Sequence, residues 1–158
     1  MAASLPRVNR AWLLAALAGA SCAAVETDAV VDPSTKLDEA VFRCSVEPIL
    51  VRQCSYNACH GTAGSALRVY SPGKLRADPP ANIDDAIRKL TADEEHANFT
   101  SASGFSLNTA AADNFLLRKP LPAAAGGFEH KGGAIYSGAT DAQYRAIAAW
   151  LTGTGGCP

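Results

Sequence analysis

The residues best suited to chemistry in this chain are its five cysteines and three histidines. Two cysteines and one histidine stand together in Cys54-Ser55-Tyr56-Asn57-Ala58-Cys59-His60-Gly61. Two thiols followed at once by an imidazole can do one of three things. The thiols can add across the two vinyl groups of a haem, which pins the porphyrin to the backbone and lets the adjacent imidazole reach the iron. They can instead close a local disulfide, or they can take part in a metal site. The familiar haem-attachment spacing leaves two residues between the cysteines. Here Ser55, Tyr56, Asn57 and Ala58 intervene, so the extra length must bulge outward if both sulfurs are to serve one ligand. The spacing alone leaves the three chemistries open.

The other cysteines are Cys22, Cys44 and Cys157. Cys22 belongs to an N-terminal pattern. Arg7 and Arg10 precede the apolar run Ala11–Ala18, and Gly19-Ala20-Ser21-Cys22 follows. A basic start, a short apolar stretch and small residues form an export signal. The run is too short for the ~20 residues that span a bilayer, which weighs against a membrane anchor. Residues 1–21 are therefore expected to be a signal peptide. Cys22 is a lipidation candidate of the bacterial lipoprotein type, although Gly19 stands where that pattern has leucine or a similar residue. Plain cleavage between Ala20 and Ala24 is the alternative. Export places the chain in the periplasm or at the cell surface of a bacterium, an oxidising compartment where disulfides persist. If Cys44 and Cys54 share a helix they lie ~15 Å apart along it, far beyond the ~7 Å that a disulfide spans. The simplest division gives Cys22 to lipid, Cys54 and Cys59 to haem, and Cys44 and Cys157 to a disulfide.

These residues need elements to hold them. The composition is 48% apolar and 18% charged with a net charge of −1, as in an ordinary globular domain without the basic excess that binds nucleic acid. Residues 22–36 read as a polar linker and 37–158 as one domain. Residues 37–54 predict a helix with Phe42, Val46, Ile49 and Leu50 on one face, which Pro48 either begins or kinks. Residues 62–80 are rich in turn residues. Residues 82–90 predict a short helix capped by Asn82, with Ile83, Ile87 and Leu90 on its apolar face. Residues 91–112 are polar and read as a surface excursion, with His96 in a solvated acidic turn. Residues 114–121 are an apolar run with a basic pair, and 122–139 form a glycine-rich loop. Residues 140–152 predict the clearest helix, with a Thr140/Gln143 capping box, a Tyr144–Ile147–Ala148–Leu151 stripe and a stop at Gly153. The sequence carries no Ser/His/Asp pattern, P-loop or dinucleotide fingerprint.

Several segments together resemble one family. Val46-Glu47-Pro48-Ile49-Leu50, Cys54, Cys59, His60 and Gly61 resemble its V-x-P-I-L-x-x-x-C-x-x-C-H-G pattern. Phe115–Leu121 is similar to its S-x-L-L-x-K-P segment, His130-Lys131-Gly132-Gly133 to its H-x-G-G, and Tyr144–Gly153 to its Y-x-x-I-x-x-W-I-x-x-G helix. The family is the planctomycete-type cytochrome c-like domain, and the resemblance runs in family order over roughly residues 40–154. The widened cysteine spacing and the segment 91–112 depart from it. The resemblance implies a small all-α domain with a loop-rich middle and one haem c on Cys54, Cys59 and His60. It implies an electron carrier rather than an enzyme, with redox proteins as partners. The first and last helices are then expected to cross and pack together, tied by the Cys44–Cys157 pair. The only methionine is Met1, so the thioether common as the second axial ligand is missing from the mature chain. His130, in the H-x-G-G segment, becomes the candidate second ligand. Arg118, Lys119 and Lys131 are candidates to meet the haem propionates. Two other readings stay in view. One is a non-haem lipoprotein stapled by disulfides and serving as a binding module. The other is a haem enzyme or sensor with an open iron site.

Overall fold

The structure, a computed structural model, describes residues 37–106 and 110–158. The signal peptide, the linker and the lipidation candidate Cys22 lie outside these residues. The described chain is small and all-α, with no β-strand among the described residues. No helix among them is long and apolar enough to cross a membrane.

The first helical run has three parts: α1 (Glu39–Val41), a wide π-turn (Phe42–Val46) and α2 (Glu47–Gln53). Asp38 caps it, its side chain accepting from Val41 N at 2.9 Å. Pro48 explains the π-turn. It has no N–H to offer the carbonyl four residues earlier, so α-helical pairing fails there. The Glu47 N–H instead reaches back to the Phe42 carbonyl, and Pro48 sits in the first turn of α2, where a missing donor costs least. Pro48 thus both begins a regular helix and marks the irregularity before it. Phe42, Val46, Ile49 and Leu50 are buried, as their spacing predicts.

The last helix, α6 (Ala142–Leu151), packs on the π-turn. The Phe42 ring lies 5.3 Å from that of Trp150 and 5.6 Å from that of Phe99, and Trp150 Nε1 donates to the Asp38 carbonyl at 3.0 Å. A disulfide between Cys44 and Cys157 adds a covalent link between the two ends of the domain, Cα to Cα 5.5 Å. The cap of α6 is Asp141, not Thr140. Its carboxylate accepts from Gln143 N at 2.8 Å and from Ser137 as well. The stripe is also rotated slightly: Ile147, Trp150 and Leu151 are buried, while Tyr144 and Ala148 are half-buried. Gly153 ends the helix at φ +69, a conformation suited to glycine.

The middle of the chain is less loop-rich than its polarity suggests. Residues 92–104 form α4 (Ala92–Gly104), opened by a capping box between Thr91 and Glu94. Its inward stripe is Glu94, Asn98 and Ala102, all at most 1% exposed. Glu94 pairs with Arg76 at 2.6 Å, both side chains 1% exposed, and accepts from Ala77 N at 3.0 Å. Asn98 accepts from Tyr70 N at 2.7 Å and donates to Glu47 at 2.8 Å and to the Tyr70 carbonyl at 3.0 Å. This helix is buried through satisfied polar groups, so a search for apolar periodicity passes over it. The reverse holds at α3 (Ile83–Ile87). Asn82 caps it as its type predicts, accepting from Asp85 N at 2.9 Å. Its supposed apolar face is open, with Ile83 71% and Ile87 57% exposed.

The cross-link closes a sequence separation of 113, and a Cys44→Ser/Cys157→Ser double variant is expected to lose ~2–5 kcal/mol of stability. Differential scanning calorimetry checks this, and an unchanged Tm contradicts it. Glu94 gives a pH prediction. Burial alone would raise its carboxyl, but hydrogen bonds from Arg76, Thr91 N and Ala77 N outweigh burial and hold it down at about 2. A pKa lowered by folding stabilises above the unfolded value and is lost as pH falls from ~4.3 toward 2. Glu94→Gln is expected to destabilise by ~3 kcal/mol at neutral pH, because Arg76 is left buried without its counter-charge. It should also flatten the acid limb of stability between pH 4.5 and 2 in urea titrations.

Candidate functional site

Cys54 closes the C-terminal end of α2. From there the chain turns sharply through residues 55–61. His60 N donates to the Cys54 carbonyl at 3.1 Å, and Cys59 N and Gly61 N both donate to the Tyr56 carbonyl at 2.8 and 3.0 Å. The turn is tight enough that a Cβ on Gly61 would lie 2.1 Å from the Ser55 carbonyl oxygen, so glycine is required there. The four intervening residues are accommodated by folding inward and outward in turn. Ser55 is fully buried and donates to the Val51 carbonyl, while Tyr56 is 54% exposed. Lys74 holds both: its ammonium donates to Ser55 Oγ at 2.9 Å and sits 3.9 Å from the Tyr56 ring centroid. Cys54 and Cys59 are unpaired, the first buried and the second exposed. Burial, with a smaller push from Cys59 and against a pull from Lys74, raises the Cys54 thiol to about 11. Burial thus favours the neutral form of the Cys54 thiol.

His60 is oriented by the chain that follows it. Its Nδ1–H donates to the Leu67 carbonyl at 2.9 Å, which fixes the tautomer and leaves Nε2 as a lone-pair donor. The carbonyl is itself held from α4: Arg68 N donates to Ser101 Oγ at 2.8 Å and Tyr70 N to Asn98. Burial lowers the His60 pKa; the Leu67 bond opposes this, and His130 and Lys119 add to it. The imidazole is accordingly neutral at pH 7, the form that ligates.

His130 comes to the same place from the far side of the domain. It lies beyond α5 (Phe115–Arg118) and a 3-10 turn (Ala123–Ala125). The loop that carries it is tied at its ends, by Phe128 N to the Arg118 carbonyl at 3.1 Å and by Ile135 N to the Pro120 carbonyl at 2.8 Å. The His60 and His130 rings face each other with centroids 6.0 Å apart and planes inclined by 13°. Among the described residues no group of three or more His, Cys, Asp or Glu converges as a metal cage. The site instead offers two neighbouring imidazoles as candidate ligands.

Space fits the same idea. A cleft of ≈ 440 Å³, within the range of small-molecule sites, is lined by both cysteines, both histidines and apolar groups including Leu50, Phe105 and Leu116. A smaller recess of ≈ 250 Å³, reaching Gln53, Tyr56 and Ile135, shares Cys54, Cys59, His60, His130 and Gly132 with it. The imidazole pair thus stands where two recesses meet. Lys119 and Lys131 line the cleft. Arg118 is engaged elsewhere: it pairs with Asp113 at 2.9 Å, donates to the Gly126 carbonyl at 3.1 Å and stacks on Phe128. His96 is remote from the site, on α4, with Nδ1 3.2 Å from Glu39. Leu67, Lys74, Tyr136 and Gly132 belong to the site without having been singled out in it by sequence. Leu67 acts through its backbone carbonyl, which has no side-chain signature.

No family model, characterised protein or solved structure matches this chain in the three comparisons made.

Because the Lys74 bond joins a charged donor to a fully buried hydroxyl, Lys74→Met is expected to cost ~1.5 kcal/mol. Chemical denaturation measures this, and a variant as stable as the parent contradicts the role of Lys74 in securing the turn.

Proposed function

We propose that this chain is an exported c-type cytochrome with one covalently attached haem, carrying electrons to and from redox proteins in the periplasm or at the cell surface. The observation that supports it most is the pair of facing imidazoles, His60 and His130, at 6.0 Å beside two unpaired thiols in one cleft. In this reading the domain is a cytochrome c-like fold, as the sequence resemblance implies. Residues 1–21 direct export, and any membrane attachment is through lipid on Cys22.

Each residue then has a defined task. The Cys54 and Cys59 thiols would hold the haem as thioethers, each S–H adding across one vinyl double bond with no net oxidation. His60, oriented by Leu67, would offer Nε2 to the iron, and His130 would offer a second imidazole. Leu50, Phe105, Leu116 and the buried Tyr136 keep water from the apolar faces. Lys119 and Lys131 are the cations available to the propionates. When bound, haem supplies an iron that passes between ferric and ferrous states. Two histidine ligands favour a lower potential than a histidine–methionine pair.

The unbonded Cys54 and Cys59 weigh against the disulfide-stapled module. The nearness of His130 to His60 weighs against a permanently open iron site.

Expressed with a haem-maturation system, the chain is expected to retain one haem through denaturing extraction, read as a c-type pyridine haemochrome. Cys54→Ser/Cys59→Ser should release it. Absence of retained haem in the parent chain, where a control cytochrome matures, overturns the proposal.

A further inference from the structure

The two histidines are held very differently. His60 is oriented by a distant carbonyl and by α4 behind it. His130 is oriented by its own turn. Gly133 N donates to the His130 carbonyl at 2.8 Å, which closes a tight turn over residues 130–133, and Gly133 takes φ +70. The His130 ring folds back over this turn, with Nδ1–H directed at the Gly133 carbonyl at 3.4 Å. Glu129 and residues 131–134 are exposed, so no packed core around the turn sets the ring.

Gly132 is the residue under the ring. A Cβ built on it would lie 2.9 Å from His130 Cε1 and 3.2 Å from Nδ1, closer than carbon atoms approach without displacement. The ring is the only movable partner in that contact. The backbone at 132 lies outside the positive-φ region that favours glycine, and the nearest atoms an added methyl group would meet are those of the His130 ring. Gly133 and Gly132 therefore have separate tasks: one allows the turn, the other leaves room for the imidazole.

We infer that Gly132 is a positioning residue: its missing side chain leaves the space in which the His130 imidazole lies over its own turn and faces His60. This rests on the cytochrome reading for its consequence, which is that residue 132 sets the fraction of molecules with a second imidazole on the iron. A ligand on an exposed turn, held by one long hydrogen bond, has a population that one methyl group can shift.

The test uses the full chain, exported and matured, as parent, Gly132→Ala, His130→Ala and Gly138→Ala. Gly138 is the control, since a Cβ there meets nothing within 4 Å and its φ is not positive. Three quantities are read: covalent haem per chain, the spin state in the absorption spectrum, and carbon monoxide binding to the ferrous form. Gly132→Ala is expected to keep its covalent haem but to lose most of the six-coordinate low-spin signature. It should bind carbon monoxide about tenfold or more tightly than the parent, because affinity scales with the fraction of open sites. His130→Ala defines the fully open limit, and Gly138→Ala should match the parent. A Gly132→Ala protein with the parent's spin state and carbon monoxide affinity overturns the inference, as does an equal shift in Gly138→Ala. If the parent holds no covalent haem, the cytochrome reading fails. The inference about Gly132 is then decided by NMR contacts between the His60 and His130 ring protons: their loss in Gly132→Ala supports it, and their retention overturns it.

Discussion

The hydrogen bond from His60 Nδ1–H to the Leu67 carbonyl, at 2.9 Å, is the contact on which the geometry of the site depends. A histidine side chain can swing about two torsions, and only a fixed acceptor on one ring nitrogen gives the other a known direction. That acceptor is a loop carbonyl, and a loop carbonyl is only as steady as what holds the loop. Here the loop is sewn to α4 through Ser101 and Asn98, and Asn98 is in turn bonded to Glu47 on α2. The path from helix to helix to loop to imidazole runs through one buried and three part-buried hydrogen bonds. Breaking the buried Asn98–Glu47 bond would leave a desolvated polar group, and that cost holds the rest of the path in place.

The core beneath serves a different purpose. Phe42, Phe99 and Trp150 form one aromatic cluster where the π-turn, α4 and α6 meet. It carries no chemistry, but it sets where α2 ends and therefore where Cys54 emerges. The π-turn is a local consequence of Pro48, yet it has a wider effect. It keeps the run continuous while shifting the register, so that Phe42 and Val46 before the proline and Ile49 and Leu50 after it are all buried. The Cys44–Cys157 bond then restrains the far end of the chain against the same helix, which suits a small domain whose apolar core is modest.

The site is asymmetric in the way its two imidazoles are supported. One is built into the hydrogen-bonded interior, the other into a four-residue turn with two glycines. In the proposed cytochrome, the rigid support would suit a permanent ligand and the light one a second ligand whose occupancy the surrounding chain can tune, with the haem held by Cys54, Cys59 and His60 whatever happens at His130.

Read from sequence alone, the thiol pair with its histidine, the first and last helices, the Asn82 cap and the Cys44–Cys157 pairing were all accessible. Each rests on local chemistry or on a reach that spacing can bound. The helical identity of 92–104 was not, although Thr91 and Glu94 hold a capping box that could have signalled it. Its buried face is Glu94 and Asn98, polar residues whose partners Arg76, Tyr70 and Glu47 lie far away in sequence. The exposed Ile83 and Ile87 show the converse: helical spacing marks an apolar face but does not say whether anything covers it. The sequence by itself determined which atoms can bind and where the chain must turn. Only the tertiary structure decided that His130 faces His60, that His96 does not, and that a carbonyl of Leu67 aims the imidazole. Those facts depend on backbone groups and on closure between distant segments, and neither leaves a mark in the order of side chains.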